Sequence, residues 1–288
     1  MSIVITRSKL EEPPPQVAAR RIVHRTRGSS HGPITRLVSP SDVGELIKPF
    51  VFLDDFAMQP TGRPMFGIHP HSGIATFTLL LEGRTAYEDS TGKSGVLPEG
   101  GLEWMRAGAG VWHEGRPVDR SRLHGLQLWV ALPPELENAP AESQYVAPEE
   151  VPQEGPVSVA LGSYGALHSP VRAPATMNYL HVKLKDGERW RYEPPAGHTV
   201  AWAYPYSGHL ETSGAVAAGE LAVFEESEQA LEFSARGDTR FVLGSAVRHR
   251  HDLVLGYYSV HTSAKALQQG EAEIERIGRR LKAEGRLK

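Results

Sequence analysis

The sequence predicts an all-β protein of two barrel-type domains followed by one helix at the carboxyl end. Short apolar segments recur at close spacing between turn residues, and the 288-residue chain supplies 29 glycines and 22 prolines for such turns. This pattern is typical of sandwiches and barrels. It stops over residues 136–156, which are rich in Pro, Glu and Ala, and then resumes. The length suffices for two domains with full cores.

We therefore divide the chain into an amino-terminal domain (residues 1–135), a linker (136–156) and a carboxyl-terminal domain (157–288) that includes the helix. In the first domain, strand-like segments at residues 34–38 and 50–56 precede a strand that carries two histidines. The second domain shows the same alternation of strands and turns, so we expect a second copy of the first architecture.

The last segment has the periodicity of an amphipathic helix. Its apolar side chains fall at i, i+7, i+10 and i+14 and are Leu267, Ile274, Ile277 and Leu281. Ser263 is a candidate N-cap. Gly270 lies inside this segment and costs about 1 kcal/mol relative to alanine, so the helix could instead begin after it.

The composition excludes several classes of protein. The chain has no cysteine, which rules out disulfides, thiolate metal ligands and a cysteine nucleophile, and this fits the cytoplasm. The formal net charge of −3 argues against a general nucleic-acid surface. No apolar run reaches the length of a membrane span, and the amino end shows no signal-peptide pattern. We expect a cytoplasmic protein that does not bind membranes.

Three histidines form the clearest candidate site. His69 and His71 lie two residues apart at the start of a predicted strand, so their side chains should project from the same face. Such a pair can simply be solvated or hydrogen-bonded. His113, however, follows a Gly-x-Gly turn in the same domain. Three neutral imidazoles that converge inside a barrel suit a divalent first-row transition metal.

The segments around these histidines resemble the pirin family of the cupin superfamily. The resemblance is dense over roughly residues 34–132 and looser in the second half. The segments that carry it are Phe52–Phe56, Phe66–Gly73, Leu79–Gly83, Glu88–Gly92, Trp104–Gly110 and His124–Trp129.

The resemblance implies a bicupin, that is, two tandem cupin-type β-barrels with a carboxyl-terminal helix and a metal in the first barrel only. Iron is the common metal in pirins, so we expect one Fe(II) per chain, with Ni, Cu, Mn, Co or Zn as alternatives. It also implies a metal-dependent dioxygenase-like oxidoreductase, similar to quercetin 2,3-dioxygenase, that acts on a flavonol or related phenolic with O₂. The alternatives are a metal-dependent regulatory protein that binds a partner enzyme or transcription factor, and a non-oxidative cupin such as an isomerase.

His69, His71 and His113 match three of the family's metal ligands. The fourth does not transfer, because pirins have a His-x-Glu pattern where this chain has His113-Glu114-Gly115. Either an irregular strand end turns Glu114 inward, or the site is a three-histidine face completed by water. We favour the second arrangement, since strand alternation places Glu114 on the face opposite His113.

Five further residues are weaker candidates. His124, on a predicted buried strand, is either a hydrogen-bond partner behind the metal ligands or an ordinary buried histidine. Phe50, Phe52, Met65 and Phe66 could form an apolar rim for a flat aromatic substrate, although such residues in a barrel are more often core packing.

Overall fold

A computed structural model describes residues 19–60, 66–173 and 176–287. The chain is mostly β-strand, with one long helix at the carboxyl end, so the predicted all-β class is confirmed. The elements of the first half are β1 (Ile22–Thr26), β2 (Ser29–His31), β3 (Ile34–Val38), α1 (Val43–Ile47), β4 (Phe50–Met58), β5 (Phe66–His71), β6 (Ile74–Glu82), β7 (Arg84–Asp89), β8 (Ser94–Pro98), β9 (Leu102–Arg106), β10 (Val111–Pro117), β11 (Leu123–Ala131) and β12 (Glu142–Val146).

The second half begins with a 3₁₀ turn at Pro148–Glu150. Its other elements are β13 (Gln153–Glu154), β14 (Val157–Leu161), β15 (Ser163–Tyr164), β16 (Leu167–His168), β17 (Met177–Leu184), β18 (Arg189–Tyr192), β19 (Val200–Glu211), β20 (Ala215–Ala217), β21 (Leu221–Phe224), β22 (Leu231–Ala246), β23 (Val254–Leu255), β24 (Val260–His261) and α2 (Ala264–Ala283).

The first barrel is built from two antiparallel sheets. One has seven strands in the order β12-β9-β6-β11-β4-β3-β2, and the other has four in the order β5-β10-β7-β8. Apolar side chains from both sheets, including Leu80 and Leu97, form one buried cluster between them. The histidine strands β5 and β10 are neighbours in the smaller sheet, which places the candidate site on its inner side.

The second barrel is a nine-stranded sheet with the main order β1-β21-β19-β22-β17-β14-β13. Strands β18 and β20 pair with the long strands β22 and β19. Trp190, Phe233 and Phe241 lie in its own buried cluster, which contains no residue of the first barrel.

Two strands do not follow the domain boundaries predicted from the sequence. Strand β1, assigned to the first domain, pairs with β21 and so extends the second sheet. Residues 136–156, predicted as a linker, contain β12, which pairs with β9 at the edge of the first sheet. The Pro and Glu content of this segment is typical of a linker, so the sequence gives no clear strand signal there. The buried residues of the strand are Ser143 and Val146. The division into two domains of these lengths remains a prediction.

A shared core joins the two barrels. Phe50 packs edge-on against Trp202 with ring centroids 5.6 Å apart, and Phe77 packs against Tyr179 at 5.4 Å. All four side chains are buried and belong to one cluster that spans both sheets. The outer face of the seven-stranded sheet is therefore covered by the second barrel, and only its inner face is available to the histidines.

Helix α2 begins at Ala264, where the Ser263 side chain accepts a hydrogen bond from the Ala266 amide at 3.2 Å. The N-cap prediction is confirmed, and the alternative start after Gly270 is wrong. Gly270 is retained because a Cβ there would lie 2.5 Å from Ser72 Oγ, so the helix approaches the first barrel with its backbone. Among the described residues, no helix is long and apolar enough to cross a membrane.

Candidate metal centre

The two histidine strands bring three imidazoles to one face. In the antiparallel pair β5–β10, His113 lies directly opposite His69, and Val111 lies opposite His71. Side chains of opposite residues share a face, and His69 and His71 share a face by strand alternation. Gly73, with a positive φ of 76°, ends β5 where a Cβ would lie 2.0 Å from the Val260 carbonyl oxygen.

The candidate ligand atoms of His69, His71 and His113 all lie within 4.8 Å of one another. Their ring centroids are 4.5 Å apart for His69–His113, 4.9 Å for His69–His71 and 5.1 Å for His71–His113. The Nε2 atoms of His69 and His113 are 3.1 Å apart. His71 and His113 are buried, and His69 is half-buried.

Hydrogen bonds from the far side of two rings direct the Nε2 atoms inward. The His69 Nδ1 atom lies 2.8 Å from the Gly67 carbonyl oxygen, and His71 Nδ1 lies 3.1 Å from the Tyr258 carbonyl oxygen. Because a carbonyl only accepts, each Nδ1 carries the proton and each Nε2 presents a lone pair. A backbone carbonyl behind a ligating histidine is a common way to fix its tautomer.

Both electrostatics and burial fit a metal ion. Desolvation lowers the pKa of His71 to about 3, and it also lowers the pKa values of His69 and His113, so all three are neutral at pH 7. Within the described parts of the chain, the buried Nε2 of His71 has no hydrogen-bond partner. A buried acceptor without a partner is costly, and a metal ion at this point would satisfy it.

Glu114 takes a different direction from the histidines. The β5–β10 register shifts between His113 and Gly115, but the extra residue is on β5, while β10 pairs regularly with β7. Strand β10 therefore keeps its alternation, and the Glu114 carboxylate forms an ion pair with Arg116. Gly115 lies on the same face as His113, at the position where the family pattern has glutamate.

One carboxyl that sequence reasoning missed does lie on the inner side. Glu103 of β9 lines a small cavity of about 40 Å³ together with His69, His113, Glu114 and Gly115. Burial raises the pKa of Glu103, against the effect of the Thr78 hydroxyl, which donates a hydrogen bond to the carboxylate at 2.8 Å. The available signal was a glutamate within the otherwise apolar strand Leu102–Met105.

Glu103 belongs to a row of polar side chains that crosses the inner face of the seven-stranded sheet. Each member lies opposite the next on the neighbouring strand, from β12 to β3. The row consists of Tyr145, Glu103, Thr78, Gln127, Asp54 and Arg36. At its far end, Asp54 and Arg36 form an ion pair. The sequence shows each of these residues as one polar position in an alternating strand. It does not show that they form a row, because the strands that pair are distant in sequence.

A second cavity, of about 700 Å³, opens beside His69. Phe52 and Trp129, whose parallel rings stack on each other at 4.0 Å, line it together with the 255–260 segment. Arg36, Asp54 and Gln127 add polar groups. Besides His69, sequence reasoning named only Phe52 here, because the other residues come from separate strands and from the far end of the chain.

Three residues of the predicted rim have other outcomes. Phe50 is fully buried in the core shared with the second barrel, so its assignment to the rim is corrected. The reason is a register shift between β4 and β11. Phe52 pairs with Trp129, but Phe50, two residues earlier, pairs with the adjacent residue Val130, so the two phenylalanine side chains point to opposite sides of the sheet. Met65 and the Phe66 side chain lie outside the described part of the structure.

Of the two alternatives for His124, the structure favours a histidine with a packing role over a partner behind the metal ligands. Its Nε2 atom lies 2.9 Å from Asp55 Oδ1, and the Tyr204 hydroxyl donates to the other Asp55 oxygen at 2.5 Å. Tyr204 belongs to the second barrel, so His124 takes part in the contact between the barrels. Strand alternation alone does not show which face of β11 is covered. His124 lies on the outer face, which the second barrel covers.

Comparisons with known proteins place the chain in a family. The family model described as Pirin matches residues 33–130. A Pseudomonas aeruginosa protein named "Putative quercetin 2,3-dioxygenase" is 33% identical over 246 residues, which is 78% of this chain and 83% of that protein. A "Pirin-like protein" of Caulobacter vibrioides is 32% identical over 219 residues, covering 72% of this chain and 74% of its own.

Two solved structures share the fold at lower identity. Quercetin 2,3-dioxygenase from Acinetobacter baumannii superposes with a TM-score of 0.78 at 23% identity, covering 90% of this chain and 96% of that one. Bacterial pirin YhhW from Escherichia coli, in complex with nickel(II), gives 0.64 at 19% identity, with coverage of 81% and 99%. By these relatives, and by its two-barrel fold, the chain belongs to the pirin family.

Proposed function

We propose that the protein is a metal-dependent oxidoreductase of the dioxygenase type that acts on a flavonol or a related phenolic compound. The observation that carries this proposal is the position of His69, which belongs both to the three-histidine group and to the wall of the 700 Å³ cavity. A molecule in that cavity therefore has direct access to the candidate metal. The names of the similar bacterial proteins point to the same reaction class.

The cavity has the size and wall chemistry that a flat aromatic compound needs. Ligand sites typically measure about 300–1,000 Å³ and are mostly apolar with a few placed polar groups. The Phe52 ring lies between the Trp129 ring and the Arg36 guanidinium, so it offers a ligand its edge rather than its face, and Ile34, Ile68 and Val260 add aliphatic surface. Aromatic ligands also pack favourably against ring edges.

The polar groups of the cavity suit the hydroxyl and carbonyl groups of a phenolic compound. The Arg36 guanidinium binds the Asp54 carboxylate and also lies over the Phe52 ring, 3.9 Å from its centroid. Burial raises the pKa of Asp54, while Arg36 opposes this shift. Together with the Gln127 amide, this pair offers both donors and acceptors at the inner end of the cavity.

His69, His71 and His113 would hold the metal through their Nε2 atoms, and we propose Fe(II) as the metal, with Ni, Cu, Mn, Co or Zn as the alternatives. When bound, the metal supplies a single centre at which a substrate oxygen and O₂ can meet. Burial among the protein side chains keeps the three imidazoles neutral and excludes water around His71 and His113, and the Phe52–Trp129 pair gives the substrate an apolar contact beside His69. We also propose that the first barrel holds the only metal.

O₂ uptake by the Fe(II)-loaded protein with quercetin tests this proposal. We expect consumption of O₂ together with loss of the flavonol absorbance, and loss of both in His69→Ala. The matched control is His209→Ala, which removes a histidine from the second barrel. If metal-loaded wild-type protein consumes no O₂ with any of a panel of flavonols, the oxidoreductase proposal is wrong, and the regulatory alternative is the one to pursue.

A further inference from the structure

We propose that Glu137 and His261 are positioning residues for the metal centre. Together with Ser72 and Ser259 they form a buried network of polar side chains. This network fixes the β23–β24 hairpin so that the Tyr258 carbonyl oxygen stays within hydrogen-bonding distance of His71 Nδ1. The inference rests on the proposed metal site and adds residues to it that lie outside the ligand set.

The hairpin carries the group that orients His71. Val254 and Leu255 pair with His261 and Val260, and the turn between them includes Tyr258, which has a positive φ of 67°. A positive φ is unfavourable for a residue with a side chain, so the surrounding contacts must hold this turn in place. The Tyr258 carbonyl oxygen lies 3.1 Å from His71 Nδ1, 187 positions away in sequence. The position of this turn thus determines the orientation of a candidate ligand.

Contacts on both sides of Tyr258 connect the hairpin to the end of β5. Ser72, which directly follows His71, forms a bridge with Ser259, and the Val260 amide donates to the Ser72 carbonyl at 3.3 Å. The Ser72 hydroxyl donates to Ser259 Oγ at 2.9 Å and lies 3.0 Å from His261 Nε2. Ser72 thus contacts the residues immediately after Tyr258 through both its backbone and its side chain.

Glu137 lies at the other end of this polar network. Its Oε2 atom lies 3.2 Å from His261 Nδ1 and accepts from the Thr262 amide at 2.6 Å, while the Thr262 hydroxyl donates to Oε1 at 2.7 Å. Glu137 is 3% exposed and His261 is 2% exposed. Buried carboxylates are retained only where hydrogen bonds and charged partners satisfy them, so this arrangement is specific rather than incidental.

Helix α2 shields this polar network from solvent. At Gly270 a Cβ would lie 2.5 Å from Ser72 Oγ and 2.6 Å from His261 Nε2, so the helix backbone lies directly on these two groups. Serine, histidine and a carboxylate in this order resemble the nucleophilic triad of hydrolases. Ser72 is 0% exposed, however, so a substrate has no route to its hydroxyl, and a positioning role fits the burial.

Cobalt(II) binding by Glu137 variants tests the positioning role. Glu137→Ala removes the acceptor for the Thr262 amide and hydroxyl and the carboxylate beside His261 Nδ1, and we expect at least a tenfold weaker Kd for Co(II) and an altered visible absorption spectrum of the bound ion. Glu137→Gln should remain close to wild type in both, since its amide oxygen can take the place of Oε2 and its amide nitrogen can donate to the Thr262 hydroxyl.

Phe233→Leu is the matched control, because Phe233 is buried in the core of the second barrel and its truncation lowers stability without touching the hairpin. We expect it to lower the melting temperature while leaving the Co(II) affinity and spectrum unchanged. If Glu137→Ala does not fold, Ser259→Ala, which deletes a single hydroxyl, replaces it with the same expected direction.

Two results would contradict the inference, and they can be told apart. Wild-type protein that binds no Co(II) refutes the proposed metal site, and the positioning role falls with it. Wild-type protein that binds Co(II), while Glu137→Ala or its replacement shows the same Kd and spectrum, leaves the metal site intact and refutes the positioning role alone.

Discussion

Replacing Gly115 with glutamate restores the residue that pirins have two positions after the last histidine, and it should strengthen metal binding. Gly115 lies on the same face of β10 as His113 and lines the same small cavity as His69. Among the described residues, a Cβ at this position would meet only Thr85 Oγ1, at 3.6 Å, which is an ordinary contact. The described neighbours of Gly115 therefore accommodate the first carbon of the new side chain without rearrangement.

The expected gain follows from charge. Three neutral imidazoles leave the full charge of a divalent ion uncompensated, and unit charges 4 Å apart attract by about 4 kcal/mol at an effective dielectric constant of 20. Desolvation of the carboxylate offsets much of this attraction. We expect Gly115→Glu to lower the metal Kd by at least tenfold, which corresponds to about 1.4 kcal/mol.

Glu114→Ala provides the matched comparison, since it removes a carboxylate from the adjacent position on the opposite face. The Glu114 carboxylate pairs with Arg116 rather than with the imidazoles, so its removal leaves the three candidate ligands in place. We expect the metal Kd to change by less than tenfold. Competition titrations of Co(II) against a chromophoric chelator measure both variants. A large loss of affinity in Glu114→Ala, with no gain in Gly115→Glu, would refute the three-histidine arrangement.

Three further outcomes are expected. Burial raises the pKa of Glu103, so the folded state holds this proton more tightly than the unfolded state and stability falls as the pH rises through the raised pKa. Glu103→Gln in metal-free protein should therefore gain stability over wild type with rising pH, and an equal difference at all pH values would contradict this. Trp202→Ala should lower the free energy of unfolding in urea by roughly 3–5 kcal/mol, whereas the exposed Val96→Ala should change it by less than about 0.5 kcal/mol. Trp129→Leu should weaken quercetin binding, measured calorimetrically at equal metal loading, by about tenfold; unchanged affinity would exclude the Phe52–Trp129 pair as part of the binding surface.

The sequence predicted those features that depend on local periodicity. Alternation placed His69 and His71 on one face, and the stripe ending at Leu281 together with Ser263 predicted the terminal helix and its cap. His113 joined this pair as a candidate because it follows a Gly-x-Gly turn in the same domain, and the family resemblance supported it, but the pairing of β5 with β10 cannot be derived from spacing alone.

The missed features depend on bulges and on distant contacts. A register shift between β4 and β11 sends Phe50 into the shared core while Phe52 lines the cavity, and alternation alone cannot locate such a shift. Tyr258 orients His71 from 187 positions away, through a backbone carbonyl that any residue type would provide. His124 lies on a face that only the packing of the second barrel identifies as covered.

The metal content of purified protein, measured by elemental analysis after loading with Fe(II) without oxygen and removal of excess metal, tests the central claim most directly. The structure brings three neutral imidazoles within 4.8 Å of one another, and we expect one equivalent of metal per chain in the wild type. His113→Ala should retain far less than one equivalent while its circular dichroism spectrum remains that of a folded β protein. Full metal content in both His113→Ala and His69→Ala would contradict the assignment of these histidines as the metal centre.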